Sequence, residues 1–226
     1  MSTFTKLIWP VVDKTAVCLL QAKISAPYTL TLNGGFVNPS IPDQISFARF
    51  NIIRSVSITA TTGNYTGVNF IIEGLQNSAY VTETLAGPAP NSTVYGTKHY
   101  DIITKITASA PVIAPGVSVG TGSTGYFPLL VVNPIVTSIN YTATILIPLL
   151  VPASGITYSL LQTLDQVADN FIPLDEQLTR FFPCMGLTDK TTSEFASATN
   201  ISNFLLFKIS STNPLTDTFN FIFLQQ

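Results

Sequence analysis

Acid–base and nucleophilic catalysis usually centre on a histidine held by a carboxylate, and this chain has a single histidine, His99. Asp101 follows two residues later, so on a strand the two side chains share a face. Such a pair reads as a surface hydrogen bond rather than a catalytic dyad. The other carboxylates are scattered from Asp13 and Asp43 to Asp217, and no spacing among them builds the acid and base of a glycoside hydrolase. Asp165, Asp169, Asp175 and Glu176 form the densest acidic run. They lack the loop spacing and the glycine that a calcium-binding hand requires, and read as a solvated edge. The segment 120–125, Gly-Thr-Gly-Ser-Thr-Gly, lacks the Gly-Lys-Ser/Thr ending of a phosphate-binding loop and precedes no helix. It reads as a loop between strands or domains. The expectation is a protein that is not an enzyme, with no catalytic residues, no cofactor and no metal.

Composition narrows the classes further. Twelve acidic and ten basic residues make up only 10% of the 226 residues, and the net charge is −2. Nucleic-acid binding relies on clustered Lys and Arg, so direct nucleic-acid contact is not expected. Charge also keeps protein surfaces apart. A chain with so little of it and a mean hydropathy of +0.40 is expected to bury surface in a permanent assembly. Cys18 and Cys184 are too few to staple a secreted scaffold and read as free, buried thiols. The start, Met-Ser-Thr-Phe-Thr-Lys-Leu, has no charged region leading into an apolar one, so no signal peptide is expected. The uncharged stretch 126–151 imitates a membrane span, but Pro128, Pro134 and Pro148 interrupt it and Thr alternates with apolar residues. It reads as two buried strands around a turn, and no membrane partner is expected.

The elements that must position these residues are strands. Within 56–87 apolar and small polar residues alternate between Gly- or Asn-bearing turns, the period of antiparallel strands. Strands are expected near 28–32, 48–60, 68–73, 80–85, 100–109, 117–119, 139–149, 157–163, 204–210 and 219–224. Turns fall at Asn33-Gly34-Gly35, Gly63-Asn64, Asn77-Ser78 and Gly87-Pro88. The one helix-compatible stretch is 173–182, with proline first and two acids in the first turn. A loop is expected over 186–198. The chain is thus expected to be all-β: an antiparallel, jelly-roll-like β-sandwich in two packed parts, with at most one short helix. The expected division is residues 1–22 as an N-terminal arm or first strand, 23–122 as one β-sandwich domain, and 126–226 as a second part.

Several of these segments carry a family resemblance. Val56-Ser57-Ile58-Thr59, the run 67–74 (Gly-Val-Asn-Phe-Ile-Ile-Glu-Gly), Val81-Thr82-Glu83-Thr84-Leu85, Gly87-Pro88-Ala89-Pro90, the run 103–109 and Val117-Ser118-Val119-Gly120 resemble a β-sandwich module of structural virion proteins from tailed bacteriophages. The runs 157–165 and 221–225 resemble the second half of such proteins. The resemblance implies a non-enzymatic structural protein of the phage virion, a capsid decoration or cement protein that stabilises the head shell. Its implied partners are the major capsid protein and copies of itself in a homo-oligomer (dimer or trimer). The implied location is the exterior of the phage head, after synthesis in the host cytoplasm. The alternative is a neck, tail or fibre-associated protein that binds a receptor or carbohydrate, with Tyr65, Tyr80, Tyr95 and Tyr126 as exposed stacking platforms. Trp9, Val11 and Val12 are the expected inter-subunit contact, since buried anchors of interfaces are often aromatic.

Overall fold

The computed structural model describes residues 2–8, 12–37, 46–126, 130–131, 140–146, 156–163, 178–183, 188–191, 194–199, 204–211 and 219–225. Among them the fold is all-β and antiparallel, as a β-sandwich requires. The strands are β1 (Ser2–Ile8), β2 (Cys18–Lys23), β3 (Ala48–Ala60), β4 (Asn69–Gln76), β5 (Ala79–Ala86), β6 (Thr93–Ala108), β7 (Val112–Tyr126) and β8 (Leu130–Val131). They continue with β9 (Asn140–Leu146), β10 (Ile156–Thr163), β11 (Phe182–Pro183), β12 (Glu194–Thr199), β13 (Phe204–Ser211) and β14 (Phe219–Gln225). In the helix-compatible stretch 173–182, residues 173–177 lie outside the described residues, and Leu178–Arg180 form a single 3-10 turn that leads into β11. The expected loop 186–198 contributes β12 instead.

The described residues form two compact units, and the chain passes from one to the other inside β7, between Gly122 and Ser123. One unit runs from Val12 to Gly122. Its strands follow the order β7-β3-β6-β4-β5, with β2 also paired to β7. The core gathers Val17, Cys18, Leu30, Phe50, Val56, Ile58, Phe70, Ile72, Tyr100, Ile103, Ile106, Val117 and Val119. Phe70 and Ile72 on β4 and Val117 and Val119 on β7 follow the period of two, whereas Tyr100, Ile103 and Ile106 on β6 are three apart because the register of β6 shifts. Phe36 meets Phe50 edge to face at 5.9 Å, an arrangement the ring quadrupoles favour. A two-residue turn, Asn77 and Ser78, closes the β4–β5 hairpin with both residues at positive φ (48° and 71°), as a right-twisted hairpin prefers.

The other unit holds β1 and the chain beyond Ser123. One sheet has the order β1-β14-β9-β12. β1 pairs with β14 along its whole length, Ser2 opposite Gln225 and Ile8 opposite Phe219. In the same unit β13 lies between β10 on one side and β8 and the end of β7 on the other. β13 and β14 are both flanked on two sides, as their nearly continuous apolar sequences require.

One local feature corrects the sequence reading. Glycines 120, 122 and 125 are not a loop: they lie in β7, where Gly125 pairs with Ile209. A side chain at Gly120 would overlap the Asp13 carbonyl oxygen, and one at Gly122 would overlap the Ser55 hydroxyl. Small residues are there so that other segments can lie directly on the strand, not to make a turn. The stretch 1–22 is also divided. Ser2–Ile8 form β1, while the residues from Val12 onward pack on β7, where Thr121 donates its N–H to the Asp13 carbonyl (2.8 Å) and Val17 donates to Val119 (3.0 Å).

Candidate interaction surface

Alternation in β4 and β5 decides which side chains leave the core. Phe70, Ile72 and Val81 point inward and are buried. Ile71, Tyr80, Thr82, Thr84 and Ala86 point outward and are exposed, with Glu73 half-buried among them. The register of β4 with its two neighbours then arranges the outer face in rows. Thr84, Ile71 and Thr107 form one row; Thr82, Glu73 and Lys105 form the next; Tyr80, Leu75 and Ile102 form the third. A bridge from Thr107 to Thr29 lengthens the first row.

The charges on this face cancel. Lys105 Nζ lies 3.1 Å from Glu73 Oε1, and the Tyr80 hydroxyl donates to Glu73 Oε2 at 3.0 Å. The hydrogen bond from Lys105, then that from Tyr80, hold the Glu73 carboxyl below its usual range, and Glu73 in turn raises the Tyr80 phenol. The ring of Tyr80, 60% exposed, is thereby tethered at its far end. What remains is a hydroxyl- and methyl-bearing sheet face with one neutralised ion pair. Such a face associates by burying area and exchanging hydrogen bonds, with little long-range electrostatics.

The residues singled out for chemistry are placed otherwise. His99 is buried on β6 opposite Ser55, not on the surface as its charge pattern suggested. Asp101 is half-buried. Burial pushes its carboxyl above the usual range, partly opposed by backbone N–H groups of Asn77 and Ile102. Asp13 accepts from the N–H and hydroxyl of Thr15 and shapes a turn (both 2.8 Å). Asp189 bonds the Ser159 hydroxyl. Asp165, Asp169, Asp175 and Glu176 lie outside the described residues. Among the described residues no three His, Cys, Asp or Glu side chains come together as metal ligands would. Cys18 is free and buried, its thiol pushed up to about 12 by desolvation, so it is inert as a nucleophile; Cys184 lies outside the described residues.

Of the expected contact residues, Trp9 and Val11 also lie outside the described residues. Val12 is half-buried at the head of the segment laid on β7. Of the four tyrosines expected to be exposed, Tyr80 and Tyr95 are (60% and 52%), but Tyr65 and Tyr126 are buried. Tyr65 has a structural task instead. Its hydroxyl donates to the Ile113 carbonyl (2.7 Å) and accepts the Gly116 N–H (2.8 Å). It thereby clasps a bulge where β7 advances from Val112 to Val117 while β2 advances only from Lys23 to Gln21. Gly116 sits there at φ 95°, a conformation costly for any residue with a Cβ. Glu83 does the same for β6: its Oε1 accepts the N–H groups of Thr97 (2.7 Å) and Lys98 (3.2 Å) and the Thr97 hydroxyl (2.8 Å).

Sequence reasoning named Tyr80 but overlooked the row of Thr82, Glu73 and Lys105. The period of two in 69–86 placed Thr82 and Glu73 on one face; the pairing partners that join them to each other and to Lys105 were missing. No helix among the described residues is long and apolar enough to cross a membrane. No protein-family model matches the chain, and no curated protein does.

Proposed function

We propose that this chain is a non-enzymatic structural protein of a tailed-phage virion, a capsid decoration or cement protein that binds the major capsid protein on the head exterior. The observation that carries the proposal is the outer face of β6-β4-β5, Thr-rich rows in which the charges of Glu73 and Lys105 neutralise each other. It supports the reading because a cement protein acts by burying surface across neighbouring capsid subunits, which favours the assembled shell by mass action. The sequence resemblance of about 28–121 to virion modules and the low overall charge support the same reading. Quantitative mass spectrometry of purified particles tests it. A copy number comparable to that of the major capsid protein is the expected result, and absence from particles would sink the proposal.

A second reading has one observation in its favour. Tyr80 is exposed and tethered to Glu73, a combination of aromatic ring and carboxylate that suits stacking on a sugar and bonding its hydroxyls. On this reading the protein sits in the neck, tail or fibre in a few copies per particle. Binding to a glycan array, lost in Tyr80→Ala, would favour it over cementing.

A further inference from the structure

We infer that β5 pairs with β5 of a second copy of this chain, antiparallel about a two-fold axis passing through Thr82. Among the described residues β5 is the last strand of its sheet, and its eight residues pair without interruption with β4 on one side only. A strand with one neighbour turns alternate N–H and C=O groups to its other edge, a ready template for another extended backbone.

The unit treats its other outer strand differently. β2 has two shifts of register against β7. Beyond it, Gln21 acts as a strand would: its Nε2 donates to the Thr31 carbonyl and its Oε1 accepts the Thr31 N–H, both at 2.9 Å. Asn33 Oδ1 accepts the Leu19 N–H at 2.9 Å. Among the described residues β5 has none of these guards. It contains no proline, lysine or bulge, and its one charged residue, Glu83, is already spent on the N–H groups of Thr97 and Lys98.

The occupant is set by symmetry and charge. An antiparallel edge is complementary to itself about a two-fold axis, so a second copy fits without any further adaptation. With the axis perpendicular to the sheet, outward residues oppose outward residues. Two registers then centre on the strand. One places Glu83 against Glu83 of the second copy, two like charges directly opposed, which is unfavourable. The other places Thr82 opposite Thr82, Tyr80 opposite Thr84 and Glu83 opposite Val81, and opposes no like charges. The second register is the one assigned. It joins the two outer faces into one continuous sheet surface carrying Ile71, Tyr80, Thr82 and Thr84 from each copy. The pairing does not rest on the virion proposal: a monomeric protein could still be counted in particles, and absence from particles leaves the pairing intact.

Sedimentation velocity on the full chain tests this, with far-UV circular dichroism to check folding. The wild type is expected to sediment as a dimer or an even-numbered assembly. Thr82→Lys, which opposes two ammonium groups across the axis, is expected to give monomer, and mixing it with Thr82→Glu to restore the dimer. A wild type that stays monomeric, or a folded Thr82→Lys that stays associated, would overturn the pairing. Should Thr82→Lys fail to fold, Thr82→Cys decides. Opposed Cα atoms in either kind of antiparallel pair lie within disulfide range, so oxidation should link two copies where the wild type is not linked. No linkage would refute the register.

Discussion

Single polar side chains hold the irregular parts of this fold in place. Tyr65 is buried because its hydroxyl, not its ring face, is what the β7 bulge needs: one group serves a carbonyl and an N–H at once. Tyr65→Phe keeps the packing and strands both partners, so a loss of about 1–3 kcal/mol is expected, read as a lower urea midpoint at unchanged slope. Glu83→Gln keeps the shape but removes the charge that strengthens three hydrogen bonds, and should cost about 1–2 kcal/mol in the same assay. The two shifted carboxylates have opposite signs. Glu73 is held low by Lys105 and Tyr80, so its contribution is complete above its usual 4.5 and fades as pH falls through its lowered value. Observed by NMR, the Glu73 carboxyl should titrate below that usual value, and Lys105→Met should bring it back up. Asp101 is raised by burial, so its cost appears as pH rises through its folded value, and Asp101→Asn should remove that part of the pH dependence.

At the scale of elements, the instructive strand is β7. Its Gly-rich half reads as a loop on composition, yet it is extended, because other segments approach it so closely that only glycine fits. Gly120→Ala, which drives a methyl group into the Asp13 carbonyl, is expected to cost about 3 kcal/mol or more, or to prevent folding, as measured by thermal unfolding. β6 shows the same lesson from the other side. It starts at Thr93, well before the apolar run at 100–109 that announces it, because its first part is held by pairing with β3 and by Glu83 rather than by its own pattern. Shifts of register are invisible to a period-two count, since each extra residue changes the phase of the alternation until a second shift restores it. The β4–β5 hairpin was legible because alternation and turn residues agreed there without any bulge.

For the whole molecule, low charge is the property that organises the functional reading. If the face of β6-β4-β5 docks on a shell, attachment to particles should change little between about 50 mM and 500 mM salt, since the charges of its rows are already paired with each other and leave little net charge to screen. Pelleting of the protein with purified particles across that range checks it, and detachment at high salt would point to a charged contact elsewhere. The amino-acid sequence by itself determined the all-β antiparallel class, the alternation of 69–73 and 80–85, the β4–β5 turn and the shortage of charge, because these arise from local period and composition. The tertiary structure alone decided that His99 and Tyr65 are buried, that Gly120 and Gly122 lie in a strand, and that Thr82, Glu73 and Lys105 form one row. Each of those depends on which distant strand lies alongside and in what register, and pairing between segments far apart in the chain leaves no mark on the local pattern of either one.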